Sequence, residues 1–426
     1  MDCERALAVF PPGFSKGQIS TFSEALTSLA NFIERASKEW KGYITLSGLE
    51  YLGRFPIQPF DKILVEDFLD SIAITKARII FEIISGKDAS NWVIEALSLK
   101  LSKGNHHNIV PIVTDGNYEE SAAMSAGKYG TPLFSKVRKT NGLVFGVFGA
   151  ITLNIPRAAN ETKEENALLD KIGSLMESAI HGLESKHKQL QTSMKNGELP
   201  LTSQLGLEGF AGSLGIVGVH EALTEVIGKG IDSKPGKAVS YKILEYMLDR
   251  AKELEPGSGF PILIHAHPVD DAPYRLAELD KKANPEITTS GSASPFYTKS
   301  TELPVNYTDD LWDALEHQKR LQSMYTGGTM FNIPLAAGID EAAGLGILAR
   351  KIEERFELPC FAFSPTYSIC PEHGYIKGRA IMCPTCSKET KVYSRLEYTY
   401  EAEDTLGSGE KEELRLRRPY AVASDW

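Results

Sequence analysis

Four side chains near the C-terminus constrain this chain more than any other feature. Cys370, His373, Cys383 and Cys386 read C-x2-H, nine residues, C-x2-C, and that spacing commits the backbone to one small local fold. Each pair can wrap one edge of a tetrahedral ion, while Gly374 and Gly378 let the chain turn back between the pairs. Four protein ligands leave no open coordination position, so the ion expected here, zinc, staples the chain and does no chemistry. Chance clustering is the competing explanation, but four of the five cysteines fall between positions 360 and 386.

The bulk properties narrow the function classes. A chain of 426 residues can bury a large core, as one big α/β domain or as two smaller ones. Hydrophobic residues make up 42% and charged residues 24%, as in ordinary globular proteins. A formal charge of -10 argues against broad nucleic-acid binding, which needs a basic face. The one local exception, the basic run 415–418, reads as a solvated tail or strand. No cleavable signal opens the sequence and no apolar run is long enough to cross a bilayer, so a cytoplasmic location without membrane attachment is expected. Cysteines committed to a metal fit the same reducing compartment.

Taken in order, Phe22, Leu26, Leu29 and Ile33 recur at helical spacing and predict a helix ending near Trp40. A second helix is expected over 65–84, with Phe68, Ile72, Ala73, Ala77, Ile80 and Ile84 inward and Gly86 as its stop. Positions 109–113 read as a short buried strand. Thr162-Lys-Glu-Glu165 reads as a capping box opening a long amphipathic helix that carries Leu168, Ile172, Met176, Leu183 and Leu190. The stretch 212–223 is a glycine-punctuated strand running into a helix. Gly215 and Gly218 within it permit either close packing or contact with a phosphate.

Further along, a strand at 261–264 delivers His265 and His267 on one face, followed by Asp270 and Asp271. Such a set suits a catalytic metal in a hydrolase, although a third ligand has no obvious source and plain hydrogen bonding is the favoured reading. Thr308, Asp309 and Asp310 supply the oxygen acceptor and negative charge wanted at a helix N-terminus. Leu311, Ala314, Leu315, Gln318, Leu321 and Tyr325 then keep helical spacing as far as Gly327 and Gly328. The turn Tyr325-Thr326-Gly327-Gly328-Thr329 offers amides and two hydroxyls to a phosphate oxygen, and an ordinary tight turn fits as well.

Several of these blocks, in order and spacing, resemble the anaerobic (class III, glycyl-radical) ribonucleoside-triphosphate reductases. Ala126-Gly-Lys-Tyr-Gly-Thr-Pro-Leu-Phe134 is similar to that family's K-Y-G-T-P-Y-F, and 148–157 to its G-x-V-T-I-N-L-P-R. Residues 212–223 resemble I-G-I-V-G-x-N-E-A-L, with His220 in place of asparagine. Tyr297-Thr-Lys-Ser300, Leu303-Pro-Val, Thr308-Asp-Asp and Tyr325-Thr-Gly-Gly-Thr resemble Y-T-N-S, L-P-V, T-D-D and Y-T-G-G-T. Thr366 to Tyr375, the Cys383-Pro-Thr-Cys386 turn, Arg395 and Gly409-Glu-Lys-Glu-Glu413 resemble the C-terminal blocks.

The resemblance implies a ten-stranded α/β barrel of the glycyl-radical enzyme type over 1–365, a zinc-binding knuckle over 366–390 and a degenerate glycyl-radical-like tail over 391–426. It further implies a homodimer, with nucleotide contacts expected at Tyr325, Thr326, Gly327, Gly328 and Thr329 and at Gly215, Gly218 and Ser300. No counterpart of the family's N-terminal nucleotide-sensing cone is expected, and Cys3 falls near its first active-site cysteine. In the family, a radical stored on a backbone glycine passes to a cysteine in a barrel loop, which abstracts a ribose hydrogen. Here the loop at 135–147 contains no cysteine, and an ungapped tail register puts Tyr398 where the glycine belongs; Gly407 and Gly409 sit outside the motif. The expectation is therefore a pseudoenzyme that binds a nucleotide or a protein partner. The alternatives are an active reductase with unusual radical residues and the metal-dependent hydrolase built on His265 and His267.

Overall fold

The computed structural model describes residues 21–40, 43–46, 61–75, 78–84, 109–114, 133–135, 146–266, 271–335, 342–356, 358–396 and 400–421. The first elements in chain order are helix α1 (Phe22–Glu39), strand β1 (Tyr43–Leu46), α2 (Asp61–Ala73), β2 (Arg78–Ile84), β3 (Ile109–Thr114) and β4 (Leu133–Ser135). Next come β5 (Gly146–Asn154), α3 (Ile155–Thr162), α4 (Glu165–Lys195), α5 (Pro200–Leu205), β6 (Phe210–Val217), α6 (Val219–Ile227) and α7 (Lys234–Ser258). Strand β7 (Ile262–His265), α8 (Ala272–Ala283), α9 (Leu311–Met324), β8 (Phe331–Ile333) and α10 (Ala342–Phe356) follow. The chain closes with β9 (Cys360–Phe363), β10 (Tyr367–Cys370), β11 (Gly374–Lys377), β12 (Lys391–Arg395), β13 (Tyr400–Ala402) and α11 (Ser408–Leu416). The class is α/β with parallel sheets.

Two compact units share these elements. The first gathers 1–138, 197–206 and 332–405, the second 139–196, 207–331 and 406–426. In the first unit a sheet runs β1-β2-β3-β4-β9-β8, with β1 to β4 parallel and β9 antiparallel to β4. Its core forms where Leu26, Leu29, Phe32 and Ile33 of α1 meet Val65, Leu69 and Ile72 of α2 and Ile79 and Phe81 of β2. The helix predicted from Phe22 is thus present, and it starts on a capping box in which Thr21 and Glu24 bond each other's backbone amides. At its other end the Glu39 carboxylate accepts from the amides of Leu201 at 2.8 Å and Thr202 at 2.9 Å, capping α5.

The helix expected over 65–84 does not survive as one element. It stops at Ala73, and 78–84 is strand β2, paired in parallel with β1 and β3. The run Arg-Ile-Ile-Phe-Glu-Ile-Ile is β-branched and continuous, the pattern of a parallel strand that buries both faces. Such a run also satisfies helical spacing by accident. Gly86 and the segments around 126–132 and 136–145 lie outside the described residues.

In the second unit β5, β6 and β7 form a parallel sheet in that order, and β6 is buried along its whole length. The long helix α4 runs as expected, but its predicted cap does not form. Thr162 is instead the last residue of α3, and its hydroxyl donates to the Ala158 carbonyl at 2.9 Å. The chain then turns at Lys163 in the left-handed region, and α4 begins with no side-chain cap. Here the preceding helix had already claimed the threonine.

Candidate functional site

The cysteine and histidine set comes together in the first unit, on a four-stranded antiparallel sheet ordered β11-β10-β12-β13. Cys370 ends β10, His373 lies in the turn to β11, and Cys383 and Cys386 lie in the turn before β12. Gly374 and Gly378 both have positive φ, as the turning back requires. The Cys370 and Cys386 sulfurs are 3.7 Å apart, and His373 Nδ1 is 3.7 Å from the sulfurs of Cys370 and Cys383. A tetrahedron with metal–sulfur bonds of about 2.3 Å has edges of about 3.8 Å, so these spacings fit an ion at the centre. Among the described residues this is the group able to hold a metal, with all four ligand atoms within 4.8 Å of one another.

The electrostatics agree with that fit. Burial pushes the Cys370 thiol up, but the amides of His373 and Glu372 outweigh it and hold it down to about 6. The Cys386 amide likewise lowers Cys383. The Lys388 amide pulls Cys386 down, yet burial and the neighbouring sulfurs push it up to about 11. Sulfurs this close repel one another as thiolates unless a cation sits among them. These side chains would hold a divalent ion with no vacant position, and across the knuckle Lys388 pairs with Glu372.

After the knuckle, Arg395 is buried, lies over the Tyr400 ring at 4.6 Å and donates to the Phe363 carbonyl at 3.3 Å. Arg395 and Tyr400 face each other across the β12–β13 pair, and Tyr367 stacks on Tyr393 with ring centres 5.4 Å apart. Tyr398 lies outside the described residues, as does Cys3.

The second unit brings the turn residues Tyr325 to Thr329, Gly215, Gly218, Ser300 and His265 into one neighbourhood. Gly215 of β6 pairs with His265 of β7. The Thr326 hydroxyl accepts from the Ile264 amide at 2.9 Å, the Gly327 amide donates to the Ile264 carbonyl at 2.7 Å, and the Gly328 carbonyl accepts from Ala266 at 3.0 Å. The turn is thus stitched onto β7, and a Cβ on Gly327 would sit 3.2 Å from His265 Cβ. Thr326 and Gly328 are exposed, whereas Tyr325 and Thr329 are buried. The Gly218 amide donates to the Thr298 carbonyl at 2.7 Å. From there the chain reaches Ser300, whose hydroxyl is 2.5 Å from the Tyr325 hydroxyl, with that of Thr301 at 2.7 Å. Burial pushes the Tyr325 hydroxyl up to about 12, so it stays protonated. Gln318 and Gln322 continue the network from the Thr301 carbonyl to the Thr329 hydroxyl.

Asp310 caps α9 as expected, accepting from the amides of Trp312 at 2.8 Å and Asp313 at 3.3 Å. Asp271 stands at the N-terminus of α8 and pairs with Arg275 at 3.4 Å, while His267 and Asp270 lie outside the described residues. Sequence reasoning missed Glu221. Fully buried on α6, it accepts from the Thr298 hydroxyl at 2.8 Å, the Thr298 amide at 3.1 Å and the Ser290 hydroxyl at 2.6 Å. The signal available was an acidic residue inside an apolar helical face, which must have partners when buried.

The profile of the family described as anaerobic ribonucleoside-triphosphate reductase matches residues 80–420. No curated protein sequence matches the chain. Among solved structures, one described as an anaerobic ribonucleotide reductase aligns over 99% of this chain and 80% of its own, with a TM-score of 0.83 at 16% identity. The Thermotoga maritima anaerobic ribonucleotide reductase in complex with dATP and CTP aligns over 98% and 81%, with 0.78 at 14%. A glycyl radical enzyme from Archaeoglobus fulgidus aligns over 94% and 68%, with 0.60 at 10%. At such identities these likenesses speak for the fold.

Proposed function

Because this chain belongs to the anaerobic ribonucleoside-triphosphate reductase family, we propose that it is a non-catalytic relative that keeps a nucleotide-binding turn without the radical chemistry. The observation that carries this reading is the absence of any cysteine between Cys3 and Cys360. Hydrogen abstraction of the kind the resemblance implies needs a thiol in the loop at 135–147, and no re-alignment of the tail supplies one. The tail register adds a second departure, since Tyr398 brings a side chain where a planar backbone radical needs glycine. Incubation with an activating enzyme, S-adenosylmethionine and reductant under anoxia is expected to give no glycyl-radical EPR doublet. A doublet would overturn the proposal in favour of an active reductase with unusual radical residues.

In this reading the turn from Tyr325 to Thr329 meets the phosphates of a nucleoside triphosphate at its exposed Thr326 and Gly328, while the buried Tyr325 and Thr329 and the Gly327 amide hold it in shape beside Gly215, Gly218 and Ser300. The exposed Thr326 and Gly328 beside His265 support it. The description of the Thermotoga maritima structure as a complex with dATP and CTP makes these the first ligands to test. A thermal-shift series across nucleotides should raise the melting temperature for at least one of them. No response to any would leave a protein partner as the ligand. The same reading takes zinc as the ion of the knuckle, a closed ten-stranded barrel as the scaffold, and a cytoplasmic homodimer as the working form.

A further inference from the structure

We propose that the C-terminal helix α11 is an internal clamp on the Tyr325 turn, with Glu413 and Lys299 as its positioning residues. Lys299 occupies the place where the Y-T-N-S block that this segment resembles has asparagine, and its side chain is only 5% exposed. A buried ammonium is costly without a counter-charge. Glu413 of α11, also 5% exposed, supplies it at 3.4 Å and is itself held by Arg417 at 2.6 Å and by the Tyr274 hydroxyl at 2.7 Å. The adjacent Glu412 grips the same segment further back, accepting from the amides of Ser292 at 2.9 Å and Ala293 at 3.0 Å.

The consequence appears one residue after Lys299. Ser300 has a φ of 47°, a left-handed conformation that a non-glycine residue holds only when its surroundings impose it. That conformation accompanies the aim of its hydroxyl at Tyr325, the first residue of the turn. A continuous path therefore runs from α11 through Glu413, Lys299, Ser300 and Tyr325 to Thr326 and Gly327, all within the second unit. The inference rests on the proposed nucleotide site only for its effect on binding, since the clamp itself exists without a ligand.

Amide hydrogen exchange on the full chain without nucleotide tests it in wild type, K299M, K299R and E413Q. In K299M and E413Q the amides of 300 and 325–329 should exchange at least about tenfold faster, while those of α4 keep their protection. K299R should behave as wild type, because it restores the charge opposite Glu413. E413Q keeps the shape of the glutamate and gives the answer if K299M fails to fold. Unchanged exchange at the turn in both variants, or an equal loss throughout α4, would overturn the clamp. Faster exchange at the turn in a protein that binds no nucleotide would retain the clamp and remove the nucleotide reading.

Discussion

Gly218 shows what a single position decides. Its φ is 74°, and an added Cβ would lie 2.2 Å from Pro156 Cγ, so both backbone conformation and space demand glycine. A left-handed non-glycine residue costs about 1–3 kcal/mol and overpacking about as much again, so G218A should lose about 3 kcal/mol of stability in urea denaturation. A loss under about 1 kcal/mol would mean that Pro156 moves aside. Sequence inspection found this glycine but assigned it two readings, because the spacing of glycines does not say what lies opposite them. The two T-x-x-E sequences make the same point. Thr21-Phe-Ser-Glu24 caps a helix and Thr162-Lys-Glu-Glu165 does not, since the second threonine is already inside α3. Glu221 was invisible as a partner for Thr298 because 77 residues separate them.

Among the elements, the four-stranded sheet around Cys370, His373, Cys383 and Cys386 depends most on one interaction. Its strands are short, three to five residues each, and the two turns bearing the ligands have few apolar side chains to bury. A metal held by those four side chains would therefore supply much of its folding free energy. Elemental analysis should find one zinc per chain, and a strong chelator should lower the melting temperature and remove the amide protection of β10 to β12. Two metals per chain would revive a second site near His265, and unchanged protection after chelation would mean that the sheet folds without the ion. The ligand spacing was legible because chelation is local in sequence. Strand β2 was not, because only its pairing with β1 and β3 distinguishes a buried strand from a buried helical face. The basic run at 415–418, read as a solvated tail or strand, spans the end of helix α11: Arg415 and Arg418 are exposed, whereas Arg417 is largely enclosed against Glu413.

For the whole molecule, the acid limb of stability follows from buried and half-buried carboxylates that hold distant segments together. Burial pushes Glu413 up, but Lys299 and Arg417 outweigh it and hold it at about 2 against an ordinary 4.5. Burial is likewise outweighed at Glu225, held at about 2 by Lys163 and Thr288. Each group binds its proton more readily when unfolded, so its contribution is complete above about pH 4.5 and is lost as the pH falls towards 2. Denaturation midpoints measured across that window should fall steeply, and less steeply in E413Q; equal slopes would remove Glu413 from the account. The sequence by itself determined the four residues able to hold a metal and the absence of any cysteine between Cys3 and Cys360, because each of these is a matter of residue identity or local spacing. Only the tertiary structure decided that α11 reaches Lys299, that Glu221 secures Thr298 and that His265 lies beside Gly327. Those contacts join residues far apart in the chain, and their partners are chosen by packing, which no local pattern encodes.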